Sequence, residues 1–391
     1  MLENLPVVEG DPLWALLHQF NADPRSQKID MLVGVYRDET GQTPVMQEVQ
    51  KAELKLTKEA ASKSYKMLSG NLEFNDHITK FVLGNNSPRF DEQCTIQTVG
   101  GTGALRVLGD FIAALSPQTV IWNTEPGYLN HRPIMEGAGL KVESFRWHHN
   151  GGILDIEQCF EDLAKAKEGD VLILHGSCHN PSGVDPLIDQ WQQFIDFCVA
   201  KKVIPLIDIA YQGFGVGPEE DAAGLRLFAE QVDFMLVATS CSKNMGLYCE
   251  RTGAAMVLSS DKSQHQPLRT LLERITRANY SMPPNHGSAV ASLLFSEPEA
   301  WLKELSVCRN RINDLRLGLG KLLSEMGADQ SLQAVTRQKG MFSMLPLTAE
   351  QMTALREKHA IYGMLNGRIN IAGLKQEQVS YLANALIDVM K

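Results

Sequence analysis

The sequence predicts an α/β protein: a large, doubly wound and mainly parallel sheet domain, with a smaller α+β domain after it. Three observations predict it. Short apolar runs alternate with helical patterns between residues 119 and 258, a long amphipathic stretch breaks that alternation near residue 299, and the tail mixes short strand patterns with a closing helix.

The apolar runs at 119–122, 171–174, 203–207 and 234–238 have the length and composition of buried strands. Residues 254–258 form another. Helical patterns at 188–199 and 225–228 fall between these runs, as in a sheet wound on both faces. From about 299 to 326, Leu302, Leu305, Ile312, Leu315, Leu319 and Leu322 recur at near-helical spacing, so one long amphipathic helix is expected to lead out of the sheet domain. Beyond it, 340–345 and 368–371 read as short strands and 376–390 as the closing helix. No repeat and no low-complexity linker interrupts the chain.

Composition narrows the function classes. With 391 residues, 44% hydrophobic and 21% charged, the chain has ample material for a core. A net charge of −9 without a Lys/Arg block leaves no nucleic-acid footprint. Residues 1–10 carry neither a basic n-region nor an apolar h-region, so secretion is not expected. No apolar run approaches the roughly 20 residues that span a bilayer, so no membrane partner is expected either. The seven cysteines are scattered, with no Cys-x-x-Cys pair, which fits free thiols in a reducing cytoplasm. His175-Gly176-Ser177-Cys178-His179 lacks further ligands at metal-site spacing and reads as polar loop residues; no metal is expected.

The most informative segment is Ser240-Cys241-Ser242-Lys243, directly after the strand at 234–238. Ligands of α/β sheets bind at strand ends. A lysine placed there, among small hydroxyl residues and close to Arg251, is a usable nucleophile and base, because partial desolvation and a neighbouring cation both lower its pKa. Gly100-Gly101-Thr102-Gly103 opens a helical apolar face and offers free backbone amides to a phosphate, although glycines that merely permit a tight turn would read the same way. Asp208 ends the strand at 203–207, where a carboxylate either holds a protonated ring nitrogen or caps a turn. Asn180, in Asn-Pro-Ser-Gly, could donate to a ring oxygen or simply form a turn. Arg368 could clamp a carboxylate bidentately or sit in a surface ion pair.

Together the order and spacing are specific. Gly100-Gly-Thr-Gly, Tyr128, Asn180-Pro-Ser-Gly, Asp208-x-x-Tyr211, Ser240-x-Ser-Lys243, Arg251 and Arg368 resemble the pattern of fold-type I pyridoxal-phosphate aminotransferases, in particular the class I aspartate/aromatic-amino-acid group. The likeness runs from Asp11-Pro12 and the 34–41 segment to Arg368, with 210–214 and 277–287 especially similar. It implies pyridoxal 5'-phosphate as cofactor, with Lys243 as its attachment point and proton carrier. Asp208 would keep the pyridine nitrogen protonated, and Tyr211 and Asn180 would bond the ring oxygen. Gly101, Thr102, Ser240, Ser242 and Arg251 would cradle the phosphate, and Tyr65 of a neighbouring subunit would complete that cradle. Arg368 would clamp the substrate α-carboxylate with Gly34 nearby, while Arg277 of the neighbour would take a side-chain carboxylate. Tyr128 would stack on the cofactor ring and face the substrate. The implied organisation is an N-terminal arm with part of the small domain (1–44), a large cofactor-binding domain (45–305) and a small C-terminal domain (306–391).

The chain departs from the family at three places. Tyr128 stands where tryptophan is usual, Met282 follows Ser281 where asparagine is common in dicarboxylate-selective members, and Ser64 replaces a frequent asparagine before Tyr65. Val35, Arg37 and Thr43 are similar to the aspartate-type pattern. The expected function is therefore a cytoplasmic, homodimeric transaminase passing amino groups from aspartate and/or aromatic amino acids, with aspartate favoured, to 2-oxoglutarate by a ping-pong cycle. An aromatic-amino-acid aminotransferase is the alternative, and a non-catalytic sensor domain a remote one. A penicillin-recognising hydrolase, suggested by Ser240-x-x-Lys243, also needs Ser-Asp-Asn and Lys-Thr-Gly, and the sequence contains neither.

Overall fold

The computed structural model describes residues 3, 5, 10–59 and 62–391. The chain divides into two compact units, a larger one (Pro44–Arg311 with Arg337–Gly340) and a smaller one (Met1–Thr43, Ile312–Thr336 and Met341–Lys391). In chain order the strands are β1 (Ile29–Asp30), β2 (Gln93–Val99), β3 (Val120–Glu125), β4 (Lys141–Arg146), β5 (His149–Asn150), β6 (Ile153–Leu154), β7 (Val171–His175), β8 (Ile204–Ile209), β9 (Phe234–Ser240), β10 (Thr252–Ser259), β11 (Phe342–Met344), β12 (Ile361–Tyr362) and β13 (Arg368–Asn370).

The larger unit is built on a seven-stranded sheet of order β2-β10-β9-β8-β7-β3-β4. β10 runs antiparallel to both its neighbours, and the remaining pairs are parallel. Strands β7, β9 and β10 are buried along nearly their whole length, as expected where helices cover both faces of a sheet. The helix Gly100–Leu115 packs Ala104, Leu105, Leu108 and Phe111 into a core shared with Ile96, Ile173, Leu206, Leu236 and Val257.

The expected strands at 119–122, 171–174, 203–207, 234–238 and 254–258 are present as β3, β7, β8, β9 and β10. β2 was not anticipated, because its sequence QCTIQTV is largely polar. Its buried polar side chains are bonded: Thr95 Oγ1 lies 2.8 Å from Thr79 Oγ1, and Gln97 Nε2 donates to Pro284 O at 2.7 Å. The expected short helix at 225–228 extends over Ala223–Gln231. The long helix spans Pro298–Glu325 and buries Leu305, Ile312, Leu315 and Leu319 as expected, with two differences at its edges. Trp301 and Leu323 are buried there, whereas Leu302 and Leu322 are only half-buried.

In the smaller unit β11 pairs antiparallel with β13 and β1 parallel with β12. The closing helix is Val379–Met390, and the three residues before it form a single 3-10 turn. No helix among the described residues is long and apolar enough to cross a membrane.

Candidate active site

Sheet topology gathers the proposed cofactor residues at one edge of the larger unit. Parallel strands β2, β3, β7, β8 and β9 present their carboxyl ends there, followed by Gly100, Tyr128, Asn180, Asp208 near the end of β8, and Ser240 at the end of β9. Because β10 runs the other way, its first residue lies at the same edge, directly after Arg251. Thr252 is opposite Val99 and Gly253 opposite Ser240, so this register brings Arg251 against Gly100. The Gly100 amide donates to Arg251 O at 2.8 Å, and a Cβ on Gly100, where φ is +68°, would meet the Arg251 guanidinium at 2.5 Å. Glycine is required here by both backbone and space.

This cradle suits a dianionic phosphate. The helix Gly100–Leu115 begins without a side-chain cap, so its first-turn amides and dipole are available. The Ser240 hydroxyl lies 3.5 Å from a Cβ built on Gly101, Ser242 is buried two residues further on, and Arg251 supplies a full positive charge.

Lys243 is half-buried, with Nζ 5.0 Å from the centroid of the Tyr211 ring. Burial lowers its pKa and Arg251 lowers it further, while Asp208 acts in the opposite sense. A lysine held this way is neutral over a wider pH range than a surface lysine, as attack on a carbonyl requires. Asp208 is nearly buried, which alone would raise its carboxyl pKa. The hydrogen bond from His131 Nε2 to Oδ2 (2.8 Å), with the charges of His131 and Lys243, more than offsets this, so its pKa lies below the usual range. An ionised carboxylate at this place can hold a ring N–H. Tyr211 and Asn180 are both buried. The donor set therefore fits a phosphate, a ring nitrogen, a ring hydroxyl and a carbonyl at once, which are the groups of pyridoxal phosphate.

Several supporting residues escaped the sequence reading. His131 begins the helix His131–Gly137 and packs edge-on against Tyr128 at 5.2 Å. Burial raises the Tyr128 phenol pKa, and Asp208 adds to this. The Asn180 amide donates to His175 Nδ1 at 3.1 Å, which fixes His175 as an acceptor at that atom. Asp185 accepts the amides of Cys178 and His179 at 2.9 and 2.8 Å. The loop after Tyr211 is pinned by Asp221, which accepts the amides of Gly213, Gly215 and Val216 at 2.8–2.9 Å. Asn244, after Lys243, donates to Gln212 O at 3.3 Å and accepts from Trp301 Nε1 at 2.8 Å.

Past the end of β7 the 175–179 segment is a loop, as expected, but a buried one. His175, Cys178 and His179 are buried, and His179 stacks on Trp147 at 4.6 Å. Burial holds both imidazoles well below their ordinary pKa. Among the described residues one group, Glu53, Glu250 and His286, brings metal-ligand atoms within 4.8 Å of one another. It shares no residue with that segment.

Tyr65 and Arg277 stand apart from the cradle. Tyr65 is 92% exposed, and Arg277, in the last turn of the helix His265–Asn279, is also exposed. The Lys66 amide lies 3.3 Å from Met282 Sδ, so the Tyr65 segment adjoins the 281–284 turn. In the smaller unit Arg368 is buried in β13 and donates from Nη2 to Leu32 O at 2.9 Å, close along the chain to Gly34.

An α/β sheet with a half-buried lysine, an ionised aspartate and a glycine-opened helix N-terminus at one edge is the arrangement that a pyridoxal-phosphate enzyme of fold type I requires. The family model "Aminotransferase class I and II" matches residues 26–386, and the chain belongs to that family. It is 38% identical to aspartate aminotransferase of Escherichia coli over 396 residues, covering all of both chains. It is 40% identical to the aromatic-amino-acid aminotransferase of Pseudomonas aeruginosa over 387 residues, 98% of this chain and 97% of the relative. The crystal structure of the Burkholderia pseudomallei aromatic-amino-acid aminotransferase, covalently bound to pyridoxal phosphate, matches with a TM-score of 0.96 at 34% identity over the full length of both chains. The protein is an aminotransferase that uses pyridoxal phosphate.

Proposed function

We propose that this enzyme transfers the amino group of aspartate to 2-oxoglutarate in a ping-pong cycle through Lys243, and accepts aromatic amino acids at the same site. The observation that carries the reading is the half-buried Lys243, with its pKa lowered by burial and Arg251, beside the ionised Asp208. When bound, pyridoxal phosphate supplies an electron-accepting ring conjugated to the substrate Cα. Lys243 then serves as the base at Cα, Asp208 holds the proton on the ring nitrogen, Tyr211 and Asn180 bond the ring oxygen, and Gly101, Thr102, Ser240, Ser242 and Arg251 bind the phosphate. Tyr128 would pack against the ring, and Arg368 with Gly34 would receive the α-carboxylate. Similarity to relatives named for aspartate and for aromatic amino acids supports a broad substrate range. So does Met282, a less polar side chain than asparagine, beside the Tyr65 segment.

The reading includes a homodimer in the cytoplasm, with Tyr65 and Arg277 serving the neighbouring subunit's site. Their exposure on this chain supports that role. Arg277→Leu is expected to reduce kcat/KM for aspartate by roughly 30- to 4,000-fold, the equivalent of about 2–5 kcal/mol for a lost desolvated charge pair. Phenylalanine and tyrosine, which lack a distal carboxylate, should change little. Arg368→Leu should impair every amino acid, because all share the α-carboxylate. Equal losses for aspartate and phenylalanine in Arg277→Leu would make this arginine structural and remove the main support for dual specificity.

Subunit mixing tests the shared site. Inactive Lys243→Ala and Arg277→Leu chains, unfolded and refolded together, should regain aspartate activity, since each hybrid dimer contains one site with both native residues. Each variant refolded alone should stay inactive. If the mixture regains nothing while hybrid dimers are detected, Arg277 acts within its own subunit.

A further inference from the structure

We propose that Phe342 is the positioning residue for substrate α-carboxylate binding: its ring supports the Arg368 guanidinium on one side and fixes the Gly34 backbone with its tip. This rests on the reading of Arg368 as the α-carboxylate clamp. In the β11–β13 pair Met344 is opposite Arg368 and Phe342 opposite Asn370, so Phe342 and Arg368 are diagonal neighbours on one face. Arg368 Cζ lies 4.9 Å from the ring centroid, and both side chains are buried. An aromatic ring beneath a guanidinium attracts the cation through its face, and leaves the in-plane N–H fork to meet a carboxylate edge-on.

The other end of the ring meets Gly34. A Cβ built on Gly34 would lie 2.5 Å from Phe342 Cζ, so the ring tip occupies the place of a side chain. The backbone around Gly34 cannot back away from it. Asn370 Nδ2 donates to Val33 O at 2.6 Å and Val35 O at 2.9 Å, the Asn370 amide donates to Met31 O at 2.8 Å, and Arg368 Nη2 donates to Leu32 O at 2.9 Å. Phe342 is held in turn, because the buried Arg316 donates from Nη2 to Phe342 O at 3.1 Å and from Nη1 to Ser343 Oγ and Val335 O. Gly34, Phe342 and Arg368 thus form one stack in which displacement of the ring moves both the clamp and the segment facing it. Tyrosine is no substitute, since its hydroxyl would extend from the ring carbon already against Gly34.

The test is a double-mutant cycle on the holoenzyme, with KM and kcat measured for aspartate and for phenylalanine, and cofactor occupancy followed by absorbance. Phe342→Leu should raise KM for both substrates roughly 10- to 30-fold, while kcat stays within about threefold and the absorbance is unaltered. Gly34→Ala should raise both KM values similarly by pushing the ring aside. Added to Phe342→Leu, however, it should raise KM less than about twofold, because the ring it displaces is gone. Unchanged KM in Phe342→Leu overturns the proposal, as does an equal Gly34→Ala effect in both backgrounds. Should Phe342→Leu not fold, Gly34→Ala alone decides: a raised KM with kcat retained supports the stack, and an unchanged KM overturns it. Arg368→Leu separates the two readings, since normal KM values in that variant would refute the clamp itself.

Discussion

Lys243→Ala is expected to purify with pyridoxal phosphate bound but to transaminate at least about 10⁴-fold more slowly than the parent. Cofactor affinity should persist because the phosphate cradle and Asp208 are separate from the lysine. The Gly100 amide is bonded to Arg251 O, and His131 engages Asp208 Oδ2, whether or not residue 243 carries an amine. Rate should not persist, because in the proposed function one amine both anchors the cofactor and moves the proton at the substrate Cα. Tyr211, whose ring is 5.0 Å from Nζ, offers a phenol, a poor base at neutral pH. The check is a single-turnover measurement with aspartate, alongside loss of the lysine-bound absorption band. Parent-like turnover would overthrow the assignment of Lys243 and with it the mechanism.

What could be seen in the sequence follows burial and chemistry in a simple way. β7 and β9 were visible because a strand covered on both faces is an uninterrupted apolar run. β2 was hidden because its buried Thr95, Thr98 and Gln97 are satisfied by side-chain and backbone partners, which a hydropathy pattern cannot represent. At the site, the residues proposed to carry the chemistry stand out through their position after strands and their spacing. Those that hold them do not. His131 reaches Asp208 from a different helix, and Asp221 reaches back to the amides of Gly213, Gly215 and Val216. A lone histidine or aspartate carries no local signal of a tertiary bond. Phe342 was read only as part of a strand, because its relation to Gly34 and Arg368 exists only once 31–35 is fastened to β13.

Asp208→Asn is expected to lower kcat by about 10²- to 10³-fold, roughly 2.7–4 kcal/mol, with substrate affinity nearly unchanged. The argument is electrostatic. The native carboxylate stays ionised because the His131 hydrogen bond and the charges of His131 and Lys243 outweigh its burial. A full negative charge in this nearly enclosed place would hold a proton on the ring nitrogen of a bound cofactor, and so favour the electron-accepting form of that ring. Asparagine has the same shape and can still meet His131, but it carries no charge to hold that proton. In the proposed function, binding of the amino acid depends on other groups, Arg368 in particular, so KM should move little. This split distinguishes the electron-acceptor role from a structural one, since a distorted site would raise KM along with lowering kcat. The pH dependence carries the same sign. Because Asp208 has a depressed pKa, its charge is present through the neutral range and is lost only as pH falls below the ordinary carboxylate range. The parent rate near neutrality should therefore owe no titration step to this group. A kcat in Asp208→Asn within about threefold of the parent, roughly 0.65 kcal/mol, would show that the ring needs no counter-charge at this position.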